Sequence, residues 1–144
     1  MRLSESRHLG SNPSLPARKF GIINPMAKRL NLVKAFHKKF KVPVLKKPSL
    51  IPKNRSNLRY KLMREEVEEY LLGAKNGDLE NIAKELVDIL YGVYGTILEH
   101  GLQDKIDKVF REVHRSHMSK NYSKYKMIKG KNYFKPNVRK ILNK

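Results

Sequence analysis

Apolar residues recur at every third or fourth position through the middle of the chain, which is the spacing of one face of an α-helix. The first such stretch contains Leu58, Leu62, Met63, Val67, Tyr70 and Leu71. Ser56 precedes it and is suited to act as an N-cap, while Gly73 and residues 75–77 are suited to end it. The pattern therefore predicts a helix over about 56–74.

Two further helices follow with the same periodicity. Asp78 is a strong N-cap candidate for the second helix, and Gly101 is placed to end it. A third helix is predicted over about 103–118, where the apolar positions are Ile106, Val109, Phe110 and Val113. Because the loop before Asp78 is short, the first two helices should form an antiparallel hairpin. The sequence predicts an all-α fold, an antiparallel bundle of three to five helices.

The first part of the chain has a different composition. Residues 1–28 are rich in Ser, Pro, Gly and Arg, so we expect a disordered extension, or a mis-assigned one if Met26 is the true start. The folded domain would then cover 29–144. A short helix is predicted over 30–40, followed by an extended linker that contains Pro43, Pro48 and Pro52.

Composition narrows the classes of protein. A chain of 144 residues usually forms one domain, and the lack of cysteine excludes disulfides, thiolate zinc sites and cysteine nucleophiles. No apolar run approaches the roughly 18 residues of a membrane span, so we expect a soluble, cytoplasmic protein. The net charge of +19 admits nucleic acid, an acidic membrane surface or a polyanionic small molecule as partner.

The acidic residues are concentrated in one part of this basic chain. Eight of the 13 lie within 24 residues: Glu65, Glu66, Glu68, Glu69, Asp78, Glu80, Glu85 and Asp88. Such a run is most often a solvated helix face with salt bridges to lysine, and that interpretation remains open for Glu65, Glu68 and Glu80. It is weaker for Glu85 and Asp88, because these two acids interrupt an apolar segment.

Two pairs of these acids have a spacing that brings side chains together. Glu66 and Glu69 are three residues apart, as are Glu85 and Asp88, so each pair lies on one helix face. Partly buried carboxylates without a counter-charge carry a desolvation penalty of several kcal/mol. Mg²⁺ prefers oxygen ligands and keeps waters that a phosphate can replace. We therefore predict a metal site between the two helices of the hairpin.

The same residues resemble a family signature. Glu65-Glu66-Val67-Glu68-Glu69, then 15 residues, then Glu85-Leu86-Val87-Asp88 is similar to the EExxE...ExxD motif of MazG-like all-α nucleotide pyrophosphohydrolases. Further segments resemble the phosphoribosyl-ATP pyrophosphohydrolase-like branch of this superfamily, namely residues 36–43, 93–96, 112–116, 118–120 and 129–136. The resemblance covers about residues 30–142.

The resemblance implies hydrolysis of a nucleoside triphosphate to the monophosphate and pyrophosphate, in a homodimer that uses Mg²⁺ or Mn²⁺. The implied metal ligands are Glu66, Glu69, Glu85 and Asp88. Glu65 would be the catalytic residue that orients or deprotonates the attacking water. The expected role is house-cleaning of the nucleotide pool, and the alternative is the phosphoribosyl-ATP step of histidine biosynthesis.

Charge on the phosphates also needs fixed cations, and the chain supplies several after the third helix. The predicted phosphate-binding residues are Arg115, Lys120, Lys129 and Lys131, and Asn132 and Tyr133 are candidates for contact with base or sugar. His117 stands where the family pattern carries asparagine. A competing hypothesis from another class is a basic nucleic-acid-binding module, in which the lysines of 38–55 and 120–144 grip a phosphate backbone.

Overall fold

The computed structural model describes residues 24–143, and it confirms the all-α fold. The five helices are α1 (Pro25–Lys39), α2 (Lys53–Asn76), α3 (Leu79–Glu99), α4 (Ile106–Met118) and α5 (Val138–Leu142). Within these residues extended pairing is limited to one antiparallel bridge between Asn121 and Ile128. α3 packs against both α1 and α2, and α5 packs against α4. No helix in this part of the chain combines the length and the apolar character needed to cross a membrane.

α1 begins earlier than the apolar pattern indicated. The Asn24 side chain accepts a hydrogen bond from the Met26 amide at 3.0 Å, and Pro25 occupies the first helical position. Both residues favour a helix start, because the first turn has unsatisfied amides and proline lacks one. The prediction of disorder is therefore wrong for residues 25–28, while the rest of the predicted extension, 1–23, lies outside the described residues.

The bounds of α2 differ from the prediction at both ends. The helix begins directly after Pro52, and the Ser56 hydroxyl donates to the Lys53 carbonyl oxygen instead of capping the helix. α2 also continues through Gly73 and ends at Gly77, whose φ of 66° is left-handed. A Cβ at Gly73 would lie 2.7 Å from the Asn81 side chain, so this glycine allows α3 to approach closely.

The start of α3 agrees with the prediction. The Asp78 side chain accepts a hydrogen bond from the Asn81 amide at 3.0 Å, as expected of an N-cap. The two-residue connection from α2 makes the predicted antiparallel hairpin. α4 starts at Ile106, three residues later than predicted, and ends at Met118 as predicted.

The linker between α1 and α2 lies across the C-terminal end of α3. The Leu45 amide donates to the Leu98 carbonyl at 3.0 Å, and the Ser49 amide donates to the His100 carbonyl at 2.9 Å. A Cβ at Gly101 would lie 2.2 Å from the Lys47 carbonyl oxygen, so only glycine fits this crossing. The linker thereby brings the start of α2 beside the end of α3, next to the buried apolar residues Leu30, Val33, Ile97 and Leu98.

Candidate active site

Three acidic side chains meet between α2 and α3. Glu66 comes from α2, and Glu85 and Asp88 come from successive turns of α3. Each offers one carboxylate oxygen, and these oxygens all lie within 4.8 Å of one another. Glu85 is buried, with 1% of its surface exposed, while Glu66 and Asp88 are partly buried. The helix hairpin thus assembles an oxygen-only group of potential ligands.

The charge of this group is only partly balanced. The Lys84 ammonium lies 2.9 Å from Glu85 Oε1 and 2.8 Å from Asp88 Oδ2, but its side chain is 61% exposed. One cation therefore faces three carboxylates. Burial raises the pKa of Glu66, and the neighbouring carboxylates of Glu85, Asp88 and Glu69 raise that pKa further. The pKa of Glu66 is therefore raised chiefly by loss of water and further by the nearby negative charges.

A buried oxygen tests whether a metal would suit these residues. Glu85 Oε2 is buried and has no hydrogen-bond partner among the described residues. An unpartnered buried carboxylate oxygen is costly, because burial removes its water without replacing it. A hard divalent cation, which prefers carboxylate oxygens, would satisfy both this oxygen and the excess charge. The chemistry of the donor set therefore fits such a cation.

The other predicted acids lie further out. Glu69 is exposed and falls outside the group of three, although it is near enough to raise the pKa of Glu66. Glu65 is also exposed. Glu68 pairs with Arg64 at 3.2 Å on the solvated surface of α2, as the salt-bridge interpretation expected.

A cavity of about 360 Å³ extends from the acidic group along the face of α2. Glu66 and Asp88 line one part of it, and Arg55 and Arg59 line another. Arg55 and Glu66 are eleven residues apart on one helix, which separates their backbones by about 16 Å. The wall between them is apolar and consists of Phe36, Val42, Leu58, Leu62, Tyr91 and Gly92.

The arginine part of the cavity is built on a buried carboxylate. Glu99, 1% exposed, accepts hydrogen bonds from Arg59 Nε at 2.7 Å and from Arg55 Nε at 3.1 Å. The Nη2 groups of both arginines also donate to Glu99 Oε1. Although burial opposes ionisation, these hydrogen bonds hold the pKa of Glu99 below its ordinary value. Two guanidiniums share one carboxylate, which leaves one positive charge in excess.

His37 completes this network. Its Nδ1 lies 3.1 Å from the Pro43 carbonyl oxygen, and its Nε2 lies 3.4 Å from Arg59 Nη2. Burial lowers the pKa of His37, so the ring is neutral at pH 7. The neutral ring donates from Nδ1 and accepts at Nε2, which suits both neighbours. A Cβ at Gly95 would lie 2.9 Å from Arg59 Nη1 and 3.0 Å from His37 Nε2, so a glycine allows this packing.

The sequence pattern did not predict this network. Glu99 interrupts an apolar segment of α3 just as Glu85 does, and the same argument could have identified it. Arg55 and Arg59 are four residues apart, which places them on one face of α2. Nothing in the sequence alone indicates that this face meets Glu99, which lies 40 residues away from Arg59 along the chain.

The predicted phosphate-binding cations lie on the segment that contains α4 and α5. Arg115 pairs with Glu112 at 2.9 Å, and its guanidinium stacks 4.1 Å from the centre of the Phe134 ring. Lys129 lies 5.2 Å from the Tyr133 ring. Ser116 and Ser119 hydrogen-bond to the backbone of Phe134 and fix this segment to α4. The cavity beside the acidic group is not lined by any residue predicted to contact phosphate, base or sugar. These predicted residues are Arg115, Lys120, Lys129, Lys131, Asn132 and Tyr133.

Comparison with known proteins gives one family match. A family model described as phosphoribosyl-ATP pyrophosphohydrolase matches residues 33–117, which is more than half of the chain. The matched region contains α2, α3 and all three members of the acidic group, together with the arginine network. No curated protein matches the chain.

Proposed function

Because the chain belongs to the phosphoribosyl-ATP pyrophosphohydrolase family, we propose that it hydrolyses a nucleoside triphosphate, or a related nucleotide, to the monophosphate and pyrophosphate. Membership of this family indicates a hydrolase of phosphoric anhydride bonds. The observation that carries the finer proposal is the acidic group of Glu66, Glu85 and Asp88 beside a cavity with an apolar wall. This arrangement suits a ligand with a charged end and a less polar body.

The proposed cofactor is Mg²⁺, with Mn²⁺ as the alternative. Glu66, Glu85 and Asp88 would hold the cation, and Glu69 would join them from its exposed position near Glu66. When bound, a divalent cation supplies Lewis-acid polarisation of the phosphate and neutralises part of its charge. Lys84, which already pairs with Glu85 and Asp88, is available to attract the anionic phosphates towards the same group.

The proposed reaction needs a water, a base and a leaving group. The water oxygen attacks the α-phosphorus, a new phosphorus–oxygen bond forms, and the bond to the bridging oxygen breaks to release pyrophosphate. Glu65 would accept the proton of the attacking water, because it adjoins Glu66 in α2 and its exposed carboxylate is open to a water molecule. The apolar wall would bind the nucleoside and keep it away from bulk water.

The proposed role is house-cleaning of the nucleotide pool. The family description favours phosphoribosyl-ATP as the alternative substrate. The net charge of +19 also suits a nucleic-acid-binding module. Such a module does not explain the acidic group between α2 and α3, because carboxylates repel a phosphate backbone. We therefore place nucleic acid second among the proposed partners.

The assay is pyrophosphate release from a panel of NTPs, dNTPs and phosphoribosyl-ATP with Mg²⁺ or Mn²⁺. Glu85→Gln and Asp88→Asn should each lower kcat by at least about a hundredfold, because both would weaken the hold on the cation. Glu80→Gln is the matched control, since Glu80 is exposed on the same helix. Absence of release from every nucleotide by the folded protein would refute the proposal.

We also propose a homodimer, because several large apolar side chains on α1 and α3 remain exposed. Leu32 is 64% exposed, Val87 58% and Leu90 47%, and all three line one groove. A second copy of the chain would cover these residues, as a patch of this kind usually requires. Light scattering should give twice the mass of the chain, and Val87→Lys should shift the mass towards that of one chain. A wild-type protein with the mass of one chain would refute the proposal.

A further inference from the structure

The arginine network offers a ligand hydrogen-bond donors but no unoccupied strong acceptors. Both oxygens of Glu99 accept from guanidinium groups, and His37 Nε2 faces Arg59 Nη2. A guanidinium has more N–H donors than these bonds use and has no acceptor. Any group that enters this part of the cavity therefore meets donors and one excess positive charge.

Of the two arginines, Arg55 is the one that a ligand can reach. Its side chain is 29% exposed, whereas that of Arg59 is 9% exposed. Both line the cavity, but Arg59 is enclosed by Glu99, His37 and the close backbone of Gly95. Arg59 and Glu99 thus act as positioning residues, which hold the Arg55 guanidinium in place.

The wall beside Arg55 suits a flat ring better than a second phosphate. Phe36 and Tyr91 meet edge to face, with ring centres 5.5 Å apart, and Leu58 and Leu62 lie on the α2 side. Phe36 and Leu58 remain 42% and 40% exposed, so the wall has apolar surface left to cover. A nucleobase is planar and largely apolar on its faces, with polar atoms at its edge.

We propose that Arg55 selects the base of the nucleotide. It favours bases with an oxo oxygen at the edge that faces the guanidinium over bases with an amino group at the same position. The inference rests on the proposed function, which directs the phosphates to the acidic group and leaves the base to extend towards Arg55. An oxo oxygen accepts a charge-assisted hydrogen bond from the guanidinium. An amino group in its place would set donor against donor, and both would lose hydrogen bonds.

The test uses two pairs of nucleotides, UTP with CTP and ITP with ATP, in which an amino group replaces the oxo group and the adjacent ring N–H becomes an acceptor. For each, kcat/KM of pyrophosphate release and Kd from calorimetry with Mg²⁺ are measured on the full chain. The wild-type protein should favour the oxo member by at least about tenfold in both quantities. Arg55→Gln should reduce this ratio to near one, because an amide can donate to an oxo group or accept from an amino group.

Two further variants separate base selection from a general loss of structure. Arg64→Gln is the matched control, since Arg64 lies on the same helix with its side chain 55% exposed, where it pairs with Glu68 and lies over the Tyr60 ring. Its ratio should equal that of the wild-type protein. Arg55→Lys keeps the charge without the planar fork, and its ratio should lie between those of wild type and Arg55→Gln.

The outcomes distinguish this inference from the proposed function. A wild-type ratio near one, a preference for CTP and ATP, or an unchanged ratio in Arg55→Gln would overturn base selection by Arg55 even if pyrophosphate is released. A preference in Kd without release of pyrophosphate would support the selection, and the full panel of nucleotides would then decide the proposed reaction. Failure of all four nucleotides to bind would overturn base selection by Arg55, whereas the proposed reaction would fall only if the dNTPs and phosphoribosyl-ATP also released no pyrophosphate.

Discussion

Replacement of Glu99 by glutamine should destabilise the protein far more than a surface change does. The Glu99 carboxylate is buried between Arg55 and Arg59, and both guanidiniums share its one negative charge. Removal of one partner from a buried ion pair typically costs about 3–5 kcal/mol, because the remaining charge is left uncompensated. Arg55 is partly exposed, so water can relieve one of the two guanidiniums. We therefore expect Glu99→Gln to lower the free energy of unfolding by about 3 kcal/mol.

The assays are urea unfolding and thermal unfolding at pH 7, both followed by circular dichroism. A loss of about 3 kcal/mol should lower the thermal midpoint by about 10 °C and leave the urea m-value unchanged. Glu68→Gln is the matched control, because Glu68 forms an exposed ion pair with Arg64. Such a pair contributes at most about 1 kcal/mol, so this control should unfold close to wild type.

The pH dependence gives a second measurement of the same interaction. The folded-state pKa of Glu99 is held below the ordinary value of 4.5. Its contribution to stability is therefore fully present above pH 4.5 and is lost as pH falls through the lower folded pKa. The difference between wild type and Glu99→Gln should shrink below pH 4.5. A loss under about 1 kcal/mol at pH 7, or a difference that does not change with pH, would contradict a stabilising role of the buried Glu99 carboxylate.

Three further predictions concern the metal, the linker and His37. Mn²⁺ at a hundredfold excess over its Kd should raise the free energy of unfolding of the wild-type protein by about 2.7 kcal/mol, and that of Glu85→Gln by much less. Equal stabilisation of both proteins would contradict the proposed metal site. Gly101→Ala should destabilise the protein more than Gly77→Ala does. Both glycines have φ of 66°, but only a Cβ at Gly101 would lie 2.2 Å from the Lys47 carbonyl oxygen of the linker. An equal loss of unfolding free energy in both variants would mean that the linker moves to make room for the Cβ. Burial lowers the pKa of His37 from 6.5, so the unfolded chain takes up a proton at a higher pH than the folded protein does. The free energy of unfolding should therefore fall as pH drops below 6.5, and His37→Gln should remove this pH dependence. A pH dependence that persists in His37→Gln would contradict the buried neutral ring.

Local signals in the sequence predicted the hairpin and the inward position of two of its acids. The apolar period of α2 and α3, the Asp78 cap and the short connection were sufficient for two antiparallel helices. The spacing of Glu85 and Asp88 within an apolar segment indicated that they face inwards, where the structure finds them beside Glu66. These features could be predicted because each depends on residues within one or two turns of helix.

Helix ends and some side-chain positions were harder to predict, because the local signal was ambiguous. Ser56 is a good N-cap in isolation, but Pro52 starts α2 one turn earlier and leaves Ser56 inside the helix. Gly73 is a typical stop signal, yet the packing of Asn81 against it favours continuation to Gly77. Glu69 has the same spacing from Glu66 as Asp88 has from Glu85, and it nevertheless faces solvent.

The helices, the hairpin and the acidic pairs on the helix faces can be predicted from the sequence alone. Which acids meet one another and which meet arginine depends on how the helices pack in three dimensions. Periodicity fixes a side chain relative to the axis of its own helix, but the rotation of that helix against its neighbours depends on packing across the whole domain. Arg55 and Glu99 are 44 residues apart in the chain. They meet because the linker lies across the C-terminal end of α3 and places the start of α2 beside it.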